Sequence, residues 1–200
     1  MRKVITMGKY QIIYADPPWS YRQRGKTARG IAANHYPTMS TEDICNLPVR
    51  DIATDTSVLF IWSTFPNIDE ARKVIDAWGF IYKTAGFVWI KKNKVSTGTN
   101  FWGMGAYTRA NAEVCLLAVS KGTKPGKQVL RHDIHQIIEA PVMLHSEKPG
   151  EARDRIEMLF GDVPRVELFA REKVPGWDAL GYEIDGIDIK EGIKKLGGNL

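Results

Sequence analysis

An α/β fold, a mostly parallel central sheet with helices on both faces, is what this 200-residue sequence predicts. Two observations carry the prediction. Apolar runs of strand length alternate with stretches of helical periodicity, the order that βα units produce. The first of those runs ends in a rigid turn rich in ligand-binding chemistry, and strand ends are where α/β sheets place their sites. A hydrophobic fraction of 44% and a charged fraction of 26% suit one ordinary domain spanning residues 1–200 with a substantial core.

The elements follow in order. Residues 10–15 form a short apolar strand. Ser40 opens a helix, with Asp43 three residues on as an approximate capping box and Pro48 just beyond the end. Residues 58–62 (Val-Leu-Phe-Ile-Trp) read as a buried strand. Asn67, followed by Glu70, opens a helix with Ala71, Val74, Ile75 and Trp78 at helical spacing, and Gly79 stops it. Residues 82–91 and 113–119 read as further strands. Ser146 is placed as the cap of a helix running through Arg155, Ile156 and Leu159 to Gly161, and residues 166–170 form the last clear strand. Residues 20–36 and 93–110 are long connections, the second with Gly98, Gly103 and Gly105, and loops of that length are usually functional. The Lys-rich tail after Asp188 is expected to be a short helix or a frayed end.

Composition excludes several classes. No apolar run approaches the ~20 residues of a membrane span, and no signal-peptide core follows Met1-Arg2-Lys3. A cytoplasmic protein with no membrane partner is expected. Two cysteines, Cys45 and Cys115, and four scattered histidines offer neither a disulfide framework nor metal-ligand spacing, so no metal is expected. No glycine-rich phosphate loop is present, since Gly103-Met104-Gly105 neither follows a strand nor opens a helix. A net charge of +5 suits a polyanionic partner. Four of the cations, Arg22, Arg24, Lys26 and Arg29, fall in one loop and are read as phosphate contacts.

That loop follows the turn Asp16-Pro17-Pro18-Trp19. Two prolines fix φ and remove two donors, leaving rigid carbonyl acceptors. Asp16 adds a carboxylate and Trp19 a flat π-face. Acceptors beside a stacking ring fit a planar ligand with an exocyclic amino group, such as adenine or cytosine.

With this turn as its centre, the chain resembles the N6-adenine/adenosine methyltransferases that carry the Asp-Pro-Pro-Trp motif, and among them a compact bacterial or phage-type member. The resemblance runs from Tyr10 to Asp185 through ordered segments. They include Ala15-Asp16-Pro17-Pro18-Trp19, Tyr36-Pro37-Thr38-Met39-Ser40, Leu59-Phe60-Ile61-Trp62 and Val88-Trp89-Ile90-Lys91. Glu113-Val114-Cys115-Leu116, Ser146-Glu147-Lys148-Pro149, Glu167-Leu168-Phe169-Ala170-Arg171, and Trp177 with Leu180-Gly181 complete the series.

The resemblance implies a Rossmann-like fold and S-adenosylmethionine as methyl donor. It assigns catalysis to Asp16, Pro17, Pro18 and Trp19, with Asp16 and the Pro17 carbonyl accepting the two N6 hydrogens of adenine. Asp16, Lys148, Phe169, Arg171, Gly181, Tyr182 and Glu183 would hold the donor. Lys173 would stand in for a polar His-Asn pair that the family often carries and this chain lacks. Trp19 or Tyr36 would stack on the target base, and Trp62, Trp89 and Glu113 would line its pocket, although both Trp residues suit a core equally. The expected substrate is adenine in DNA. Two alternatives stay open: the same chemistry on RNA, and a catalytically silent nucleic-acid-binding subunit of the same fold. A homodimer and a partner subunit are both compatible with the sequence.

Overall fold

Strand β1 (Tyr10–Ala15) lies inside a seven-stranded sheet, with nearly every side chain buried. The computed structural model describes residues 9–20, 38–96, 98–105, 107–123, 128–143 and 147–198. Along the chain follow α1 (Thr41–Cys45), β2 (Ala53–Ser63), α2 (Ile68–Ala77), β3 (Phe80–Lys92), β4 (Ala112–Ser120) and β5 (Ile137–Pro141). Then come α3 (Glu151–Phe160), β6 (Arg165–Leu168), β7 (Asp178–Leu180), α4 (Tyr182–Asp185) and α5 (Ile189–Leu196). The strand order is β5-β3-β4-β2-β1-β6-β7.

The sheet is mixed. Four of its six pairings are parallel, and β4 is antiparallel to both β2 and β3. Mostly parallel pairing therefore holds except at β4. Among the described residues no helix separates β3 from β4, so the chain doubles back beside itself instead of crossing over.

Strand alternation divides the core in two. Ile13 and Ala15 of β1, with Leu59 and Ile61 of β2, pack on one face against Ile44 of α1, Val74 of α2 and Ile193 of α5. Ile12, Tyr14, Phe60 and Trp62 pack on the other face against Ala152, Ile156 and Phe160 of α3. Helices thus cover both faces, as the sequence predicts.

Local chemistry sets the boundaries. Ser40 Oγ accepts from the Asp43 amide at 3.1 Å and caps α1. The tail is helical because Asp188 caps α5 through the amides of Lys190 and Glu191. Asn67 occupies the N-cap of α2 without a capping bond, since a 3-10 turn leaves it at φ −102°, ψ 11° instead of extended. Ser146 lies outside the described residues, and the N-cap of α3 is Gly150. Pro149 disfavours helical backbone at the residue before it, so α3 starts only beyond it. Strand β6 stops at Leu168, short of the predicted Ala170, because Phe169 turns left-handed at φ +62°. The short edge strands β5 and β7, in which only Ile138 is buried, lack the apolar run that marks β1.

Candidate active site

Strands β1 and β6 run parallel as neighbours, with Ala15 opposite Leu168. Asp16 and Phe169, the next residues, therefore emerge side by side at the carboxyl edge of the sheet. They stand on either side of β1's change of partner from β2 to β6, the position where open α/β sheets bind ligands.

Asp16 is held by Lys148, whose Nζ lies 2.8 Å from Oδ2. The same ammonium is 3.4 Å from Glu113 Oε2, and Lys91 bonds the other Glu113 oxygen at 2.6 Å. Two cations and two carboxylates thus alternate, with side chains only 8% to 20% exposed. Burial pushes the Asp16 carboxyl up; Lys148 opposes this, Glu113 adds to it, and the net shift is upward. Glu113 is also pushed up by burial, but Lys148 and Lys91 outweigh it and its carboxyl is held below the usual value. Asp16 is therefore the readier of the two to take a proton.

The turn itself is partly consumed by its own structure. The Pro17 carbonyl accepts from the Trp19 amide at 2.8 Å and the Pro18 carbonyl from the Met39 amide at 2.9 Å. Of the expected acceptors, Pro17 keeps one lone pair, while Pro18 ties the turn to the segment before α1. Trp19 is only 6% exposed and donates Nε1 to the Trp62 carbonyl. It anchors the turn from a buried position. Trp62 and Trp89 are buried as well. Trp62 donates to the Tyr14 hydroxyl at 2.6 Å and Trp89 to the Ala140 carbonyl at 2.9 Å. Their rings lie 6.0 Å from the Lys148 ammonium and 5.0 Å from that of Lys91. Both Trp residues support the ion pairs from within the core. Tyr36, Arg22, Arg24, Lys26 and Arg29 lie outside the described residues.

A cavity of about 210 Å³ opens beside Asp16. Asp16, Lys148, Phe169, Arg171 and Glu183, five of the expected donor-binding residues, line it. Lys173 and Tyr182 are exposed and stand outside its lining. Gly181 is buried, and a Cβ there would meet the Ala170 carbonyl oxygen at 2.0 Å. Its role is close backbone approach between β6 and β7, which sets the wall carrying Phe169 and Arg171.

Four lining residues escape the sequence reading: Glu147, Arg153, Glu167 and Glu172. Arg153 of α3 bonds both oxygens of Glu167, at 3.2 and 2.9 Å, and reaches Glu172 at 2.8 Å. Burial raises the Glu167 carboxyl against the pull of Arg153. A signal existed, since Glu167 stands between the apolar Val166 and Leu168 of a buried strand, where charge persists only when paired. Cations and carboxylates therefore face one cavity. That donor set suits a zwitterion carrying a hydroxyl-bearing sugar, so the amino-acid and ribose parts of S-adenosylmethionine fit these residues.

The MT-A70 family model matches residues 10–183. The chain belongs to the MT-A70 family. It is similar to the Type II methyltransferase M.MunI of a Mycoplasma species, 35% identical over 192 residues, covering 88% of this chain and 78% of that protein. It is 28% identical to the human N(6)-adenosine-methyltransferase catalytic subunit METTL3 over 190 residues, covering 93% of this chain but 30% of that protein. An Arabidopsis thaliana N(6)-adenosine-methyltransferase MT-A70-like protein is 27% identical over 191 residues, covering 94% of this chain and 26% of that relative. The chain spans less than a third of the length of these two eukaryotic relatives. It is an MT-A70 methyltransferase with the α/β fold of that family, whose methyltransferases use S-adenosylmethionine.

Proposed function

We propose that this protein transfers a methyl group from S-adenosylmethionine to N6 of adenine in DNA. The observation that carries the reading is the Asp16 carboxylate, fixed by Lys148 in the lining of a mixed-charge cavity. Bound in that cavity, S-adenosylmethionine supplies an electrophilic methyl group. Lys148 and Arg171 suit its carboxylate, Asp16 its ammonium, Glu167 and Glu183 its ribose hydroxyls, and Phe169 an apolar face.

Adenine N6 is a poor nucleophile because its lone pair is delocalised into the ring. Asp16 and the remaining lone pair of Pro17 accept its two hydrogens, which holds the amine out of conjugation. Positioning and fixed charge then carry most of the acceleration. Asp16, raised by burial, is suited to take the proton that the product amine sheds.

The choice of DNA is supported by the relatives. Those named for adenosine, a ribonucleoside, are matched over less than a third of their length, whereas the Type II methyltransferase is matched over 78% of its own. The net charge of +5 suits either polyanion. No helix among the described residues is long and apolar enough to cross a membrane. Labelled donor supplied with matched DNA and RNA oligonucleotides, and products read by mass spectrometry for N6-methyladenine, tests the proposal. Faster DNA methylation is expected. Faster RNA methylation overturns the substrate, and no transfer to either overturns the reaction.

A further inference from the structure

Between β3 and β4 the chain leaves the sheet as an arm. Residues 91–110 hold four cations, Lys91, Lys92, Lys94 and Arg109, and not one carboxylate. The arm is rooted at the catalytic cluster, because Lys91 bonds Glu113 and Glu113 contacts the lysine that holds Asp16. Its base is built by backbone bonds, from the Phe101 amide to the Lys91 carbonyl at 2.8 Å and from the Lys91 amide to the Asn111 carbonyl at 2.9 Å. Further out, Gly103 and Ala110 exchange both backbone bonds, at 2.7 and 3.2 Å. A Cβ would meet the Ala110 carbonyl oxygen at 2.8 Å from Gly103 and the Thr108 carbonyl oxygen at 2.0 Å from Gly105. Glycine at both places lets the legs close into a narrow hairpin.

This narrow hairpin holds its largest side chains in solvent. Trp102 is 60% exposed, Met104 88% and Tyr107 fully so. A free-standing fold gains nothing by such exposure, and clustered exposed apolar side chains mark a contact surface. Charge decides what is contacted. Lys91 and Lys92 are spent on Glu113 and Glu139, but Lys94 and Arg109 are exposed beside the tip. Apolar tips flanked by such cations complement a polyanion with a stacked, apolar interior, which is a nucleic-acid duplex.

We infer that the arm is a duplex wedge. Met104, Tyr107 and Trp102 enter the base stack beside the adenine that is extruded toward Asp16, and Lys94 and Arg109 lie on the flanking phosphates. Inserted apolar side chains are a known way to hold base steps apart, and an enzyme acting on N6 must take its base out of the stack. The inference rests on the nucleic-acid reading above.

The test uses the full chain and a fluorescein-labelled DNA duplex with one unpaired adenine, which removes the need to know a recognition sequence. Anisotropy gives the affinity at several salt concentrations, and 2-aminopurine beside the unpaired position reports unstacking. Met104→Ala/Tyr107→Ala should weaken binding by roughly 5- to 150-fold, the range for one lost base–aromatic stack. It should also abolish the 2-aminopurine rise while leaving the salt slope intact. Lys94→Gln/Arg109→Gln should instead lower the log–log salt slope by about 1.8, at about 0.9 per phosphate contact. All four side chains are exposed, and a thermal melt checks that the variants stay folded. Variants that bind and unstack as the parent does overturn the wedge, and so do variants that alter only self-association in sedimentation. A parent that binds through the arm yet transfers no methyl group supports the wedge and refutes the proposed reaction. A parent that methylates DNA with unaltered arm variants refutes the wedge alone.

Discussion

Lys148 sits 2.8 Å from Asp16 and 3.4 Å from Glu113, so one ammonium bridges two buried carboxylates from different strand ends, the second of which Lys91 also holds at 2.6 Å. Removing one carboxylate leaves the ammonium paired with the other, whereas removing the ammonium leaves Glu113 to Lys91 and takes from Asp16 the cation at 2.8 Å. The three residues are therefore not equivalent under mutation.

Asp16→Ala should abolish methyl transfer while the protein stays folded, because Glu113 keeps Lys148 paired. The expected loss is roughly 100-fold or more, the scale of losing one fixed polar contact at a reacting centre. Asp16→Asn keeps an acceptor oxygen but not the charge and should lose less. Methyl incorporation alongside a circular-dichroism melt checks both, and an Asp16→Ala protein with near-parental turnover removes Asp16 from the chemistry.

Lys148→Ala should weaken donor binding more than nucleic-acid binding. A charge-assisted hydrogen bond contributes ~1.5–3 kcal/mol, about one to two powers of ten in affinity. Titration calorimetry with S-adenosylmethionine reads this directly, and unchanged affinity excludes Lys148 from the donor site.

The acid limb of activity should lie above pH 3.8, the ordinary Asp value, since burial raises the Asp16 carboxyl. A protonated Asp16 donates where an acceptor is required, so activity falls as pH drops through that raised value. Glu113 contributes to the rise and Lys148 opposes it. Glu113→Gln should therefore move the acid limb of kcat/KM to lower pH, and Lys148→Met should move it higher. Movement in the opposite sense in either variant refutes the electrostatic account.

Legibility in the sequence followed local signal strength. Strand β1 and its turn were readable because an apolar run ends in residues that restrict their own backbone, and the cap Ser40 acts within one helical turn. Lys148 and Arg171 were placed by their order in a motif series, and both line the cavity. What escaped depends on distance along the chain. Arg153 and Glu167 lie 14 residues apart, and nothing local marks either as the partner of the other. Trp19, Trp62 and Trp89 were ambiguous for the converse reason. An aromatic beside a site serves equally as platform or as core, and only the packed structure shows Trp19 spending its donor on the Trp62 carbonyl.

The buried Trp62–Tyr14 bond at 2.6 Å supports the floor beneath Lys148. Trp62→Phe leaves the Tyr14 hydroxyl buried and unpartnered, at a cost of about 1–3 kcal/mol before any packing loss. Tyr14→Phe leaves the indole N–H in the same position. The double variant should be less destabilised than the sum of the two, because it removes both orphaned groups at once. Chemical denaturation of the four proteins measures the cycle, and strict additivity refutes the coupling.

Phe169 provides the sharpest test of the cavity wall. It is the only described non-glycine residue with positive φ, at +62°, and left-handed backbone costs a β-carbon residue roughly 1–2 kcal/mol. Its ring is half-buried against the core while also lining the cavity. Phe169→Ala forfeits the ring and keeps the strain; Phe169→Gly forfeits the ring and releases it. Glycine should therefore be the less destabilising replacement by about 1 kcal/mol, the reverse of the usual order within a strand or helix. Both variants should bind S-adenosylmethionine more weakly, since each removes the same apolar face. Thermal melts of the two proteins side by side decide the first point, and an alanine variant as stable as the glycine variant shows that the turn after β6 is unstrained. Calorimetry decides the second: parental donor affinity in both variants would assign the ring to packing alone.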